Sequence, residues 1–504
     1  TTEHPREAQD EVNPTATEKR QWRSRDEPDN DVQFRGQQSF NFVPKTTVES
    51  FCQYFDDELL EKIRYQSILY STQKGKSVNI TKEELLTFFG ITIIMSYNKL
   101  PSLHHYWTNS DDIGVNAIKQ AMSRDRFECI LSNLHLNDNS QMNSHKKDKL
   151  FKVRPLVDHL NNKFILRNHK EHLAIDESMI RFKGRSSPKQ YNLMKPIKRG
   201  YKIWCLADVY GYIYKFDIYT GKNEGMSAAK KEFGLGGSVV KDLSSHLEGK
   251  KHKIFSDNYF ASIPLMEYLK SKEICACATI RSSRKDFPSL KADKELKRGD
   301  YDYKANAGVT VYKWHDSKPV YLISNYHRSA SSTVKRKNKD GSHVVLSCPT
   351  AVRDYNSYMI GVDKHDMLRQ LYGLNRKAKK WWHLIFFGLF DMAIVNSFIV
   401  FQETTRPEMN FFNYRRSLAQ GLLTIGKCER ADKRVKRRKF NYSVPSSVRL
   451  SNTGVHWPVF GHPKGRCEVC ASEGIQSRPT SQCSQCKINL CCNTSKNCFM
   501  RYHQ

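Results

Sequence analysis

The sequence predicts a multidomain protein in which α-helical segments flank an α/β sheet domain and a small cysteine-rich module closes the chain. Three observations carry that expectation. Apolar residues recur at helical spacing from Val43 to about Lys170 and again from Asp354 to Leu423. Between these stretches the pattern shortens to apolar runs of strand length. Seven of the 14 cysteines crowd between Cys467 and Cys498. With 504 residues and 39% apolar content, the chain can bury a large core and by length holds more than one domain.

Residues 1–40 are polar and mixed in charge, and read as a disordered tail. Residues 41–170 read as a helical domain: Thr81 and Glu84 in "TKEELLTFFGITIIM" have the spacing of a capping box, and "SRDRFECILSNLHL" repeats the period. Residues 171–281 read as strands with helices packed on them. "HLAIDESMI" is short and apolar around Asp176, "YKIWCLADVYGYIYKFDIYTG" is two strands joined at Tyr210 and Gly211, and "HKIFSDNYF" holds a third apolar run that ends in the acid Asp257. Ser262 caps a helix with Pro264 in its first turn, and "EICACATIR" is a further strand.

Residues 282–349 are basic and irregular, with "WHDSKPVYLIS" as a hairpin, and read as an insertion. Residues 350–373 form a helix carrying Asp363 and Asp366, and residues 374–426 a second helical part. Its most apolar run, Leu384 to Phe401, is interrupted by Asp391 and Asn396, which favours a buried helix over a membrane span. Residues 427–460 are a basic linker and residues 461–504 the cysteine-rich domain.

The net charge of +30, from 82 Lys and Arg against 52 Asp and Glu, suits a polyanion and makes nucleic acid the leading partner. An anionic membrane would be expected to come with a lipidation signal or a basic amphipathic helix, and neither is visible. The clustered cysteines fit metal binding in a reducing compartment better than a disulfide framework.

Strand ends in open α/β sheets are where sites form, which singles out Asp176 and Asp257. Asp363 and Asp366, three apart on a helix, share one face. Each acid has a plainer reading, as a turn cap or as part of a solvated face with Lys364 and His365. Converging carboxylates repel unless neutralised, whereas Mg²⁺ accepts them, and two such ions suit in-line phosphoryl displacement. Glu177, beside Asp176, points to the opposite side of the strand or outwards beyond it, which leaves it out of the metal site. His365 reads as a neighbour or a phosphate contact.

Phosphate-contact candidates are Lys195, Lys198, Arg199 and Lys202 beside the first acid, Arg281, and Arg376, Lys377, Lys379 and Lys380 beyond the third. Trp314 is a candidate for stacking on unpaired bases, and Trp381 and Trp382 for helix-core packing. Lys433, Arg434, Lys436, Arg437, Arg438 and Lys439 form a nuclear-import or nucleic-acid cluster, so a nuclear location is expected. Cys467, Cys470, Cys483 and Cys486 make two C-x₂-C knuckles. With Cys491, Cys498 and His503 they supply enough ligands for two structural zinc ions, with His456, His462 and Cys492 open for the eighth place.

The runs "DESMIRFKGRSSPKQYNLMKPIKRGYKIW", "SDNYFASIPLMEYL", "WHDSKPVYLIS", "YNSYMIGVDKHD" and "RCEVC…CSQC…CFMRYH", in that order, resemble the piggyBac transposase family over nearly everything after the tail. The resemblance implies a ribonuclease H-like catalytic domain split by the insertion, flanked by helical dimerisation and DNA-binding segments, and closed by a zinc domain that recognises transposon ends. It implies Asp176, Asp257 and Asp363 as the catalytic acids holding two Mg²⁺, with Mn²⁺ as a substitute, and Asp366 as an auxiliary acid. It further implies a homodimer acting on double-stranded DNA, freeing transposon ends through hairpins and joining them at TTAA. Ile360 and Ala278 stand where the family usually has glycine, and Met367 where glutamine is common; none removes a carboxylate. The alternative is a domesticated relative that binds DNA without cutting it.

Overall fold

A computed structural model describes residues 20–25, 32–36, 42–110, 112–193, 197–221, 228–338, 340–374, 378–432, 442–451 and 453–504. The chain forms two compact units, one of residues 1–35, 228–241 and 247–357, the other of residues 36–227, 242–246 and 358–504.

In the larger unit the expected capping box forms at helix Lys82–Tyr97, where the Thr81 hydroxyl accepts from Glu84 N and the Glu84 carboxylate from Thr81 N. Ser123 caps helix Arg124–Asn133, its hydroxyl accepting from Arg126 N. Helix Trp381–Thr404 is long and apolar enough to cross a membrane, yet most of its residues are buried within the protein. Phe390 packs edge-on against Phe51 and Phe55. The polar interruptions are satisfied internally, as buried polar groups must be. Asp391 pairs with the fully buried Arg415 at 2.9 Å, and the Asn396 amide bonds both N and O of Ile213 at 2.9 and 2.8 Å. They belong to a core helix, as the sequence suggested.

Strands β1 (His172–Arg181), β2 (Gln190–Tyr191), β3 (Arg199–Asp208) and β4 (Ile213–Ile218) complete this unit. β3 pairs antiparallel with β1 along one edge and with β2 and β4 along the other. The β3–β4 turn falls at Tyr210 and Gly211 as expected, with Gly211 at φ +94°, a left-handed conformation glycine adopts without strain.

The smaller unit holds a mixed sheet of β5 (Lys253–Ser256), β6 (Cys275–Thr279), β7 (Tyr301–Asn306), β8 (Val309–His315) and β9 (Pro319–Ser324), in the order β5-β6-β9-β8-β7. β5 and β6 run parallel, joined through helix Ile263–Ser271, whose N-cap is Ser262. A ribbon of β10 (Ser331–Lys337) and β11 (His343–Pro349) follows.

Residues 282–349 are therefore strand-rich where the sequence suggested an irregular insertion. "SSTVKRK" alternates in exposure along β10, but its outward cations hide the period-two signal. The tail also differs from expectation over its described residues. Arg20 pairs with Glu267 and Asp286, and Arg23 exchanges backbone hydrogen bonds with Ala305.

Candidate functional site

Asp176 lies in the middle of β1, opposite Cys205 of β3, and not at a strand end as the sequence reading had it. The strand period puts Ser178 on the same face. Helix Gly361–Leu371 packs over that region of β1 and β3. Its close approach depends on Gly361, where a Cβ would meet Asp208 O at 2.3 Å.

Arg369 clamps the helix down. Its buried guanidinium donates to Ser178 Oγ at 2.9 Å, Met179 O at 2.8 Å and Asp366 Oδ1 at 2.9 Å, and Ser178 Oγ donates to the same Asp366 oxygen at 2.7 Å. Asp366 is thus a half-buried acid held by a cation and a hydroxyl. Asp363, one turn earlier, is exposed, and among the described residues no hydrogen bond or ion pair occupies it. The two acids of the helix have different jobs: one anchors, the other is available.

His365 is buried, with Nδ1 bonded to Gly211 O at 2.8 Å, and burial together with Arg369 drives its pKa down to about 3. It is a neutral packing residue, which removes it as a phosphate contact. Ser178 and Arg369 escaped the sequence reading, although the Asp366–Arg369 spacing of three is a helix ion-pair signal. Asp208 repeats the pattern of an acid ending an apolar run, but it is a buried turn cap. It accepts from Tyr210 N at 2.9 Å, Tyr212 N at 3.0 Å and Tyr214 OH at 3.2 Å.

In the smaller unit, Asp257 follows directly after β5, as expected, and its Oδ1 accepts from Tyr259 N at 2.9 Å. Two guanidiniums hold the same turn. Arg281 Nε donates to Asn258 Oδ1 at 3.0 Å, and Arg284 Nη2 to Asn258 O and Tyr259 O at 2.9 and 3.2 Å. A carboxylate fixed beside two cations can hold a metal while the cations attract phosphate.

The basic candidates divide. Lys198, Arg199 and Lys379 are exposed, as is Arg281, whereas Lys380 is half-buried. Lys202 is ion-paired with Glu177, both side chains only 14% exposed, on the face of β1 away from Asp176, so its charge is already used. Trp314 is 1% exposed, with Nε1 bonded to Ser347 O, and is a core residue that cannot stack on bases. Trp382 is in the helix core as expected. Lys195, Arg376, Lys377, and the cluster Lys433, Arg434, Lys436, Arg437, Arg438 and Lys439 lie outside the described residues.

The C-terminal module gathers eight ligands into two buried sets, His456, Cys483, Cys486 and His503 in one, Cys467, Cys470, Cys491 and Cys498 in the other. His456 takes the eighth place; His462 and Cys492 stand outside both sets. Along the chain the sets interleave, His456, then Cys467 and Cys470, then Cys483 and Cys486, then Cys491 and Cys498, then His503, a cross-brace that ties residues 456–503 together.

The spacings fit tetrahedral zinc. Metal bonds of about 2.3 Å to sulfur and about 2.0 Å to nitrogen give tetrahedron edges of about 3.8 Å between sulfurs and about 3.5 Å from sulfur to nitrogen. Cys470 Sγ lies 3.8 Å from Cys491 and 3.6 Å from Cys498, and both histidines lie 3.4–3.5 Å from Cys483 and Cys486. Each histidine spends its other ring nitrogen on a backbone carbonyl, His456 on Val448 O and His503 on Phe499 O, which fixes the nitrogen that faces the cluster.

Comparison with known proteins places these features in a family. The profile of the family described as Transposase IS4 matches residues 46–398. PiggyBac transposable element-derived protein 3 of Homo sapiens is 30% identical over 489 residues, covering 92% of this chain and 77% of that protein. PiggyBac transposable element-derived protein 2 of Homo sapiens is 28% identical over 434 residues, 83% of this chain and 71% of that protein. The cryo-EM structure of the piggyBac transposase synaptic complex with hairpin DNA shares the fold, with a TM-score of 0.68 at 24% identity, over 78% of this chain and 84% of that one.

Proposed function

The chain belongs to the piggyBac-type family of transposases, and from that premise we propose that it is a metal-dependent, cut-and-paste DNA transposase. The observation that carries the reading is the division of labour on helix Gly361–Leu371. Asp366 and Arg369 spend their charges anchoring the helix to β1, while Asp363 is left exposed with no partner among the described residues. An acid left unpaired on a helix so firmly fixed fits a role outside the fold.

We assign the catalytic acids as Asp176, Asp257 and Asp363. Their hard carboxylate oxygens suit two Mg²⁺ ions, with Mn²⁺ as a substitute. Bound there, the metals would lower the pKa of the attacking water and neutralise the leaving oxygen. Arg281, Lys198, Arg199 and Lys379 contribute cations that bring the DNA backbone in. The domain division follows the family: a ribonuclease H-like core from residues 171–281 and 350–373, an insertion at 282–349, helical dimerisation and DNA-binding parts at 41–170 and 374–426, and a two-zinc module reading transposon ends. A homodimer, hairpin-ended intermediates, TTAA target joining and a nuclear location complete the proposal.

The test is excision from a plasmid carrying the genomic sequences that flank the gene. Purified protein with Mg²⁺ should release the insert, and EDTA should stop it. Specific binding of those ends without release would favour the second reading, a DNA-binding descendant that no longer cuts. That reading draws support from relatives named as element-derived.

A further inference from the structure

We propose that Lys74, Lys152 and Lys380 form a subsite that grips one backbone phosphate of bound DNA; the proposal rests on the DNA-binding reading above. The three lysines come from separate parts of one unit. Lys74 follows helix Asp57–Gln73, Lys152 precedes helix Arg154–Phe164, and Lys380 directly precedes helix Trp381–Thr404.

Lys74 and Lys380 meet over the ring of Tyr70, and Lys152 lies within electrostatic reach of both. His135 stacks flat on one face of the Tyr70 ring, with centroids 3.7 Å apart. The Lys74 and Lys380 ammonium groups lie over the same ring, 4.5 and 4.6 Å from its centroid. Neutral oxygens steady the cations: Lys380 Nζ donates to Ser132 O at 2.6 Å, and Lys152 Nζ to Asn139 Oδ1.

Among the described residues no carboxylate lies within ion-pair distance of any of the three. The nearest acid in sequence to Asn139, Asp138, is already engaged by Gln73 Nε2 at 2.7 Å and Ser140 N at 2.9 Å. Lys74 and Lys152 both act on Lys380, whose pKa falls to about 8, mainly through burial and then through these two neighbours. Three like charges held together without a counter-charge repel, and an anion accepting from all three relieves that repulsion. A tetrahedral phosphate presents several acceptor oxygens to convergent donors of this kind. The chain's charge of +30 and the exposed Lys74, Lys76 and Lys379 nearby in sequence point to the phosphate of a polyanion rather than a free ion. The contact would set register and carry no sequence preference.

The test measures binding of full-length protein to duplex DNA across a salt series. One phosphate held by three lysines is a single lost contact, so the Lys74→Gln/Lys152→Gln/Lys380→Gln variant should lower the log–log salt slope by about 0.9, with Lys74→Gln alone producing part of that. A fall near three times as large would mean three separate phosphates, and an unchanged slope no phosphate; either overturns the subsite. Failure of the wild type to bind DNA at all would remove both this proposal and the transposase reading, whereas an unchanged variant slope with tight wild-type binding removes the subsite alone. A second readout needs no variant. In brief acetylation at pH 7.5, Lys380 should react ahead of ordinary lysines and be protected by duplex DNA. Protection by inorganic phosphate but not by duplex would reassign the subsite to a free anion and overturn the proposal.

Discussion

Replacing Asp366 by alanine should loosen helix Gly361–Leu371 far more than replacing Asp363, although the two acids sit one turn apart. Asp366 is 17% exposed and Arg369 6% exposed, and removing the acid deletes its bonds to Ser178 and Arg369 while leaving a buried guanidinium without its closest counter-charge. Breaking a buried pair in this way costs about 3–5 kcal/mol. Asp391, which remains in electrostatic reach of Arg369, holds the expected loss to the lower end, about 3 kcal/mol. Asp363 is exposed and has no partner among the described residues, so Asp363→Ala should cost no more than about 0.5 kcal/mol. Because the chain has two units, local opening is a better observable than global unfolding. Amide hydrogen exchange in peptides covering residues 361–371 should quicken by about two orders of magnitude in Asp366→Ala. Adding Arg369→Met should recover part of the protection by removing the stranded cation. Equal exchange in the Asp366→Ala and Asp363→Ala proteins would refute the clamp.

Lowering pH should destabilise the larger unit. His365 and His135 are both buried with pKa values held near 3, against an ordinary value near 6.5. Between those values the unfolded chain binds protons that the fold does not, so stability falls by about 1.4 kcal/mol per histidine for each pH unit below about 6.5. Thermal unfolding between pH 7 and pH 5 checks this, and His365→Leu should shrink the slope. Trp314→Ala should destabilise the smaller unit by about 3–5 kcal/mol as a cavity, measured by exchange in β8, and leave the salt slope of DNA binding unchanged. Native mass spectrometry should show two zinc ions per chain. His456→Ala should release one of them, while His462→Ala should keep both.

What was legible in the sequence was whatever local chemistry dictates. Thr81 and Ser262 announce helix starts because their hydroxyls serve the first free amides, and Gly211 marks a turn because it needs a positive φ. Asp391 and Asn396 favoured a buried helix, since each demands a partner that lipid does not offer, and each finds one inside the fold. The cysteine spacing announced two metal sets, but the choice of His456 over His462 and Cys492 required the cross-braced fold. Long-range facts were not legible. Nothing local distinguishes Asp208, a turn cap, from Asp257, since both end apolar strands. Lys202 looked free until β1 and β3 paired and brought Glu177 beside it. Trp314 is aromatic within a basic segment, and only the β7–β8–β9 packing reveals it as core.

The measurement closest to the central claim is strand cleavage of transposon-end DNA by the wild type and by three single variants, Asp176→Asn, Asp257→Asn and Asp363→Asn, across a Mg²⁺ titration. Asparagine keeps the shape and removes the charge that holds metal, so each variant should bind the DNA as tightly as the wild type, or more tightly as repulsion with phosphate falls, and cut none of it at any Mg²⁺ concentration. Cleavage near the wild-type rate by any one of the three would remove that residue from the metal set. A wild type that binds the ends but never cuts would contradict the transposase reading itself.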